Sequence, residues 1–100
     1  VPMMALGAKG VISVASNIAP EVMVKMSHLC LDNDFAAASQ LQIKYMDLID
    51  ALFCEVNPIP VKAALSLMGM CREDCRLPLV PLAPERKGEL KVLMKGYGLL

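Results

Sequence analysis

Thiols, imidazoles and amines are the side chains with which a short chain most readily does chemistry. This one holds four cysteines, one histidine and no tryptophan. Cys71-Arg-Glu-Asp-Cys75 brings two thiols within four positions. Two sulfurs supply half of a structural zinc site, which needs four ligands. His28 lies far away in sequence and no second Cys pair is present, so the pair is read as two loop cysteines. His28 could serve as a general base, but no serine, cysteine or carboxylate stands at a spacing that would make it one. Beside Lys25 and Ser27 it is read as a surface histidine. No lysine sits in an apolar strand, where burial would lower its pKa for Schiff-base formation. Any amine chemistry therefore needs a lysine from elsewhere. Gly10-Val-Ile-Ser13 is too short for a phosphate-binding loop, and neither G-x-G-x-x-G nor a P-loop pattern occurs. The eight methionines fall mostly on helical stripes, where filling gaps in packing is their common use.

The elements that must position these residues are mostly helical. Pro2–Leu6 resembles the tail of a helix capped by Gly7. Gly10 to Ala15 is rich in β-branched residues, carries no charge and does not alternate. That pattern predicts a strand at Val11–Val14 buried on both faces, as in parallel sheets. Pro20 opens a helix whose face is Val22, Met26, Leu29 and Cys30, with Glu21 and Lys25 paired on the wet side. Asp34 is the expected N-cap of the longest helix, running to about Cys54, with the stripe Ala38, Leu41, Tyr45, Leu48, Leu52. Asn57-Pro-Ile-Pro60 stops it. A short helix lined by Val61, Leu65 and Met68 ends at Gly69, and residues 70–83 are read as loop. Pro84 opens a last helix with Glu85 and Glu89 toward its start and Lys91 and Lys95 toward its end. Leu90, Leu93, Met94 and Tyr97 form its buried side.

A single buried-type strand leaves its backbone groups unpaired, so its partners are expected upstream and the chain is read as a piece of an α/β protein. Composition agrees: 56% of the 100 residues are hydrophobic, and mean hydropathy is +0.51. That is more apolar surface than a small monomer hides. Ten basic residues balance ten acidic ones, which gives no electrostatic footprint for nucleic acid or an anionic membrane. No run of about 18 uncharged apolar residues suggests a span, and no signal peptide is visible. The start at Val1-Pro2, without methionine, is read as a missing or processed beginning. The chain reads as cytosolic, with its cysteines as reduced thiols.

Four stretches carry a resemblance: Leu6-Gly-Ala-Lys-Gly-Val-Ile-Ser-Val14, Glu55-Val-Asn-Pro-Ile-Pro-Val-Lys62, Arg76-Leu-Pro-Leu-Val-Pro81 and Gly98-Leu-Leu100. In order and spacing the chain resembles the C-terminal third of the 4-hydroxy-tetrahydrodipicolinate (dihydrodipicolinate) synthase family. The Asn-Pro-Ile-Pro-Val-Lys block favours this branch over the related sialic-acid lyases. The resemblance implies a (β/α)₈ TIM barrel followed by a helical C-terminal domain. Residues 1–31 would then supply the end of the seventh helix, the eighth strand and the eighth helix, and residues 34–100 the appended three-helix domain.

The family condenses pyruvate with aspartate semialdehyde on the way to diaminopimelate and lysine, through a Schiff base on a barrel lysine. Tyrosine and threonine hydroxyls relay protons. The resemblance puts all of these groups upstream of Val1, implies no cofactor, and leaves this piece without catalytic residues and inactive alone. It gives Ile12 to the pyruvate pocket, in keeping with sites at the C-terminal ends of barrel strands, and Leu6 to a subunit contact in homotetrameric members. Val56 replaces a usual proline, and Ala15-Ser16 a Thr-Ala pair. Two other readings stand beside this one. One is another pyruvate-dependent aldolase of the superfamily. The other is a self-standing helical module that pairs its lone strand with a partner.

Overall fold

The structure, a computed structural model, describes residues 1–100. Helix α1 spans Pro2–Ala5 and is followed after an irregular stretch by a single 3₁₀ turn, Ala15–Asn17. Then come α2 (Pro20–Leu31), α3 (Phe35–Ala51), α4 (Ile59–Leu67) and α5 (Pro84–Gly96). The helical content and order are those the periodicity predicts. The expected strand at Val11–Val14 does not form. A strand exists only as a partner in a ladder of inter-strand bonds, and no backbone hydrogen bond engages residues 9–12. Val11 and Ile12 are exposed, where a strand covered on both faces would have buried them.

The helix boundaries follow from local chemistry. Proline stands in the first turn of α1, α2, α4 and α5, where its fixed φ suits the helix and its missing N–H is not needed. Asp34 caps α3 as expected, its Oδ1 accepting the Ala37 N–H at 3.2 Å. The four other helices end alike. In α4 the Gly69 N–H donates to the Ser66 carbonyl at 3.0 Å and the Met70 N–H to the Leu65 carbonyl at 2.9 Å. This paired bonding requires a left-handed residue just past the helix, and Gly69 takes φ +76°. After α2 the same position is held by Asn33, at φ 60°, the one residue without glycine's freedom to do so.

By packing the chain divides into two compact units, Val1–Asp47 and Leu48–Leu100, with the division falling inside α3. The turn that joins α2 to α3 lies at residues 32–34, away from this division.

In the first unit the buried side chains are Ala15, Ile18, Ala19, Met26, Cys30 and Ala38. The 3₁₀ turn packs on α2 and is pinned by Ser13 and Ser16. The Ser16 N–H donates to Ser13 Oγ at 3.0 Å, and Ser16 Oγ donates to the Ser13 carbonyl at 2.9 Å. These bonds give the backbone a turn in place of continued extension.

The second unit centres on α4 packed against α5. Leu48, Leu52, Ile59, Val61, Ala63, Ala64, Leu82, Leu90 and Met94 are buried there. The buried face of α4 is therefore set by Ile59, Val61 and the two alanines. Leu65 and Met68, expected as part of its core line, are only half-buried. On α5, Leu90 and Met94 are buried and Leu93 and Tyr97 half-buried, the side the spacing predicts.

Candidate functional site

Ile12, given to a substrate pocket by resemblance, is fully exposed. It stands at the rim of a cavity of about 610 Å³ within the first unit. Met3 and Met4 of α1, Val11 beside it, and Met23, Met26 and Cys30 of α2 form the walls. The lining is aliphatic and thioether, with Ser27 and Gln42 as its polar side chains. A concavity of this kind holds apolar surface or a small apolar-walled ligand, and offers no charged side chain to bind or activate one. Leu6, expected at a subunit contact, is also exposed, in the turn that ends α1.

The side chains with intrinsic reactivity are not gathered anywhere. Cys30 is buried and lines the cavity; Cys54 and Cys75 are half-buried, Cys71 is exposed, and all four are free thiols. Cys71 Sγ lies 3.9 Å from the Lys62 carbonyl and Cys75 Sγ 3.7 Å from the Glu73 carbonyl. Residues 72–76 form neither turn nor bend. No group of three or more His, Cys, Asp or Glu side chains is placed to hold a metal ion. His28 is exposed in the last turn of α2, toward the end of the helix that favours a cation.

The charged residues that do come together serve packing, and sequence reading missed them. Glu55 reaches across to the start of α5: its Oε2 accepts the Ala83 N–H at 3.3 Å and lies 3.7 Å from Arg86 Nε. Arg86 also donates through Nη1 to the Cys54 carbonyl at 2.7 Å. One residue on, Lys87 pairs with Glu73, Nζ to Oε2 at 2.9 Å, which places a counter-charge on an otherwise enclosed carboxylate oxygen. Lys62 Nζ donates to the Asp74 carbonyl. Thus Glu55 and Lys62, the two ends of the Glu-Val-Asn-Pro-Ile-Pro-Val-Lys block, both fasten neighbouring segments. Ala83, the N-cap residue of α5, has no capping side chain of its own. A carboxylate beside its N–H therefore supplies both the bond and the negative charge the helix start favours. Sequence carried only one signal of this, a lone acidic residue just ahead of a helix-stopping Asn-Pro-Ile-Pro.

The sequence model of the dihydrodipicolinate synthetase family matches residues 1–97. The 4-hydroxy-tetrahydrodipicolinate synthase of Fervidobacterium nodosum is 50% identical over 98 residues, which are 98% of this chain and 34% of that protein. The crystal structure of dihydrodipicolinate synthase from Aquifex aeolicus superposes with a TM-score of 0.95 at 46% identity, over 98% of this chain and 33% of that one. That of the Acinetobacter baumannii enzyme, complexed with pyruvate, superposes at 0.94 with 42% identity, over 99% and 34%. The chain thus spans about a third of the length of the relatives it matches.

Proposed function

Because the chain belongs to the dihydrodipicolinate synthetase family, we propose that it is the C-terminal third of a Schiff-base lyase. The parent enzyme condenses pyruvate with aspartate semialdehyde in lysine and diaminopimelate biosynthesis. The family match across residues 1–97 is the observation that carries this reading. Pyruvate bound to the A. baumannii relative supports the first substrate.

In this reading residues 1–31 close a (β/α)₈ barrel and residues 34–100 form the helical domain behind it. Pairing with barrel neighbours turns residues 11–14 into the eighth strand. Ile12 then presents an aliphatic wall to pyruvate, shedding the water that surrounds it in the isolated chain and keeping the reacting keto group dry. Leu6 meets another subunit of a cytoplasmic homotetramer, and its present exposure supports that role. No helix is long and apolar enough to cross a membrane.

The 100 residues by themselves are inactive in this reading. Carbinolamine formation and loss of water need an unprotonated amine held against the keto carbon, with a hydroxyl relay to move protons. The lysines here are exposed or half-buried, and Lys62 and Lys87 are occupied by the Asp74 carbonyl and Glu73. Borohydride reduction in the presence of labelled pyruvate tests this. The full-length parent should acquire one pyruvyl group on one lysine, and the 100-residue chain none. Stoichiometric labelling of a single lysine within the chain would sink the reading.

A further inference from the structure

The run between α4 and α5 carries two thiols for which the lyase reading has no use. Cys71 is exposed, Cys75 is half-buried, and both are free. No backbone–backbone hydrogen bond engages residues 71–75. Side chains hold the run instead: Lys62 of α4 donates to the Asp74 carbonyl, and Lys87 of α5 pairs with Glu73. Both tethers fall between the cysteines, so they fix the middle of the run and bind the backbone of neither thiol-bearing residue. Each sulfur meets a backbone carbonyl, Cys71 that of Lys62 at 3.9 Å and Cys75 that of Glu73 at 3.7 Å. A thiol is a weak donor, so little is lost when either swings away. Drawing the two Cα atoms to within the roughly 7 Å that a disulfide bridges therefore breaks no backbone bond. Closing a ring over four positions also costs less chain entropy than pairing either thiol with Cys54 or Cys30, much farther along the chain.

We propose that Cys71 and Cys75 form a reversible dithiol–disulfide pair that is oxidised by disulfides of small thiols, with Cys71 attacking and Cys75 resolving. Exposure sets the order, because the attacking sulfur must reach an incoming molecule and the resolving one need reach only its neighbour. Cys71 gives its proton to water and attacks one sulfur of the small disulfide. That S–S bond breaks, a mixed disulfide forms on Cys71, and the first small thiolate leaves. Cys75, deprotonated in turn, attacks the Cys71 sulfur, closes the Cys71–Cys75 bond and expels the second thiolate. The two leaving thiolates take up the two protons. The pair is oxidised by two electrons, and the small disulfide is reduced to two thiols. The ring so formed encloses Glu73 and Asp74, the two residues that α5 and α4 hold.

The test treats both the 100-residue chain and a full-length parent with oxidised glutathione, then blocks free thiols and digests with trypsin. Cleavage after Lys62, Arg72 and Arg76 leaves Cys71 and Cys75 on separate peptides, which only a disulfide can join. Those two peptides should be recovered joined, from chains of unchanged length, with two molecules of reduced glutathione released per pair. Cys75→Ser should stop at a glutathionyl group on Cys71. Cys71→Ser should acquire one on Cys75 at least about threefold more slowly. A stable glutathionyl group on wild-type Cys71, or a bond from either cysteine to Cys54, Cys30 or a second chain, overturns the proposal. So do equal rates for the two variants, and so does modification of buried Cys30 as fast as Cys71, since selectivity would then owe nothing to the fold. Borohydride trapping reports the enzymatic reading separately, so either can fail alone.

Discussion

Glu55 shows how a single side chain organises the second unit. Its carboxylate is the only side-chain acceptor at the N-terminus of α5, and it also meets Arg86. Exposed ion pairs contribute about 0–1 kcal/mol, so the Arg86 contact alone would matter little. The bond to the Ala83 N–H adds the value of a helix cap, about 1 kcal/mol. Glu55→Gln, which keeps an acceptor without the charge, should destabilise less than Glu55→Ala, which should lose about 1–2 kcal/mol in urea unfolding. Asp34→Ala, at an N-cap legible in the sequence, should lose about 1 kcal/mol. Equal stability of Glu55→Ala and wild type would show that the carboxylate merely lies near α5. The difference in legibility is physical. Asp34 bonds three residues along its own chain, whereas Glu55 acts on residues 28 and more positions away, and no local pattern encodes that.

Among the elements, α5 separates burial from mere apolarity. Leu90 and Met94 are enclosed, whereas Val92, two positions from each, is mostly exposed. Leu90→Ala should therefore cost about 2–4 kcal/mol through lost transfer energy and the cavity left behind. Val92→Ala should stay within about 0.5 kcal/mol, since only exposed surface changes. Thermal unfolding followed by circular dichroism measures both, and similar losses would contradict the packing described. The spacing of Leu90, Leu93, Met94 and Tyr97 made this face readable in advance. On α4 the period found Val61, but it does not say that Ala63 and Ala64 are enclosed while Leu65 and Met68 are half-buried. Helix ends were the most legible feature: proline at the start and glycine just past the end act through their own φ angles and need no tertiary partner.

At the scale of the molecule, residues 9–13 decide how much of a larger fold survives here. Their amides have no backbone partner, so they should exchange with solvent at nearly unprotected rates in the 100-residue chain, while the Leu90–Met94 amides exchange slowly. If the proposed reading holds, the amides of residues 11–14 should be protected by many orders of magnitude in a full-length parent, as those of a strand paired on both edges are. Hydrogen exchange followed by mass spectrometry checks both states. Protection of residues 11–14 in the isolated chain would mean that they pair between copies, as the helical-module reading requires.

The sequence by itself determined the helices, their caps and stops, the apolar stripes and the family. All are written in residue type and short-range spacing, and 97 positions of matched pattern define a family whatever the rest of the protein does. Tertiary structure alone decided that Val11–Val14 is not a strand in this chain, that the Glu55–Lys62 block fastens its neighbours, and that Lys62 and Lys87 tether the run between Cys71 and Cys75. Each of these depends on which backbone or side-chain groups lie opposite. A β-branched run carries the propensity for a strand, but the hydrogen bonds that make one belong to its partners.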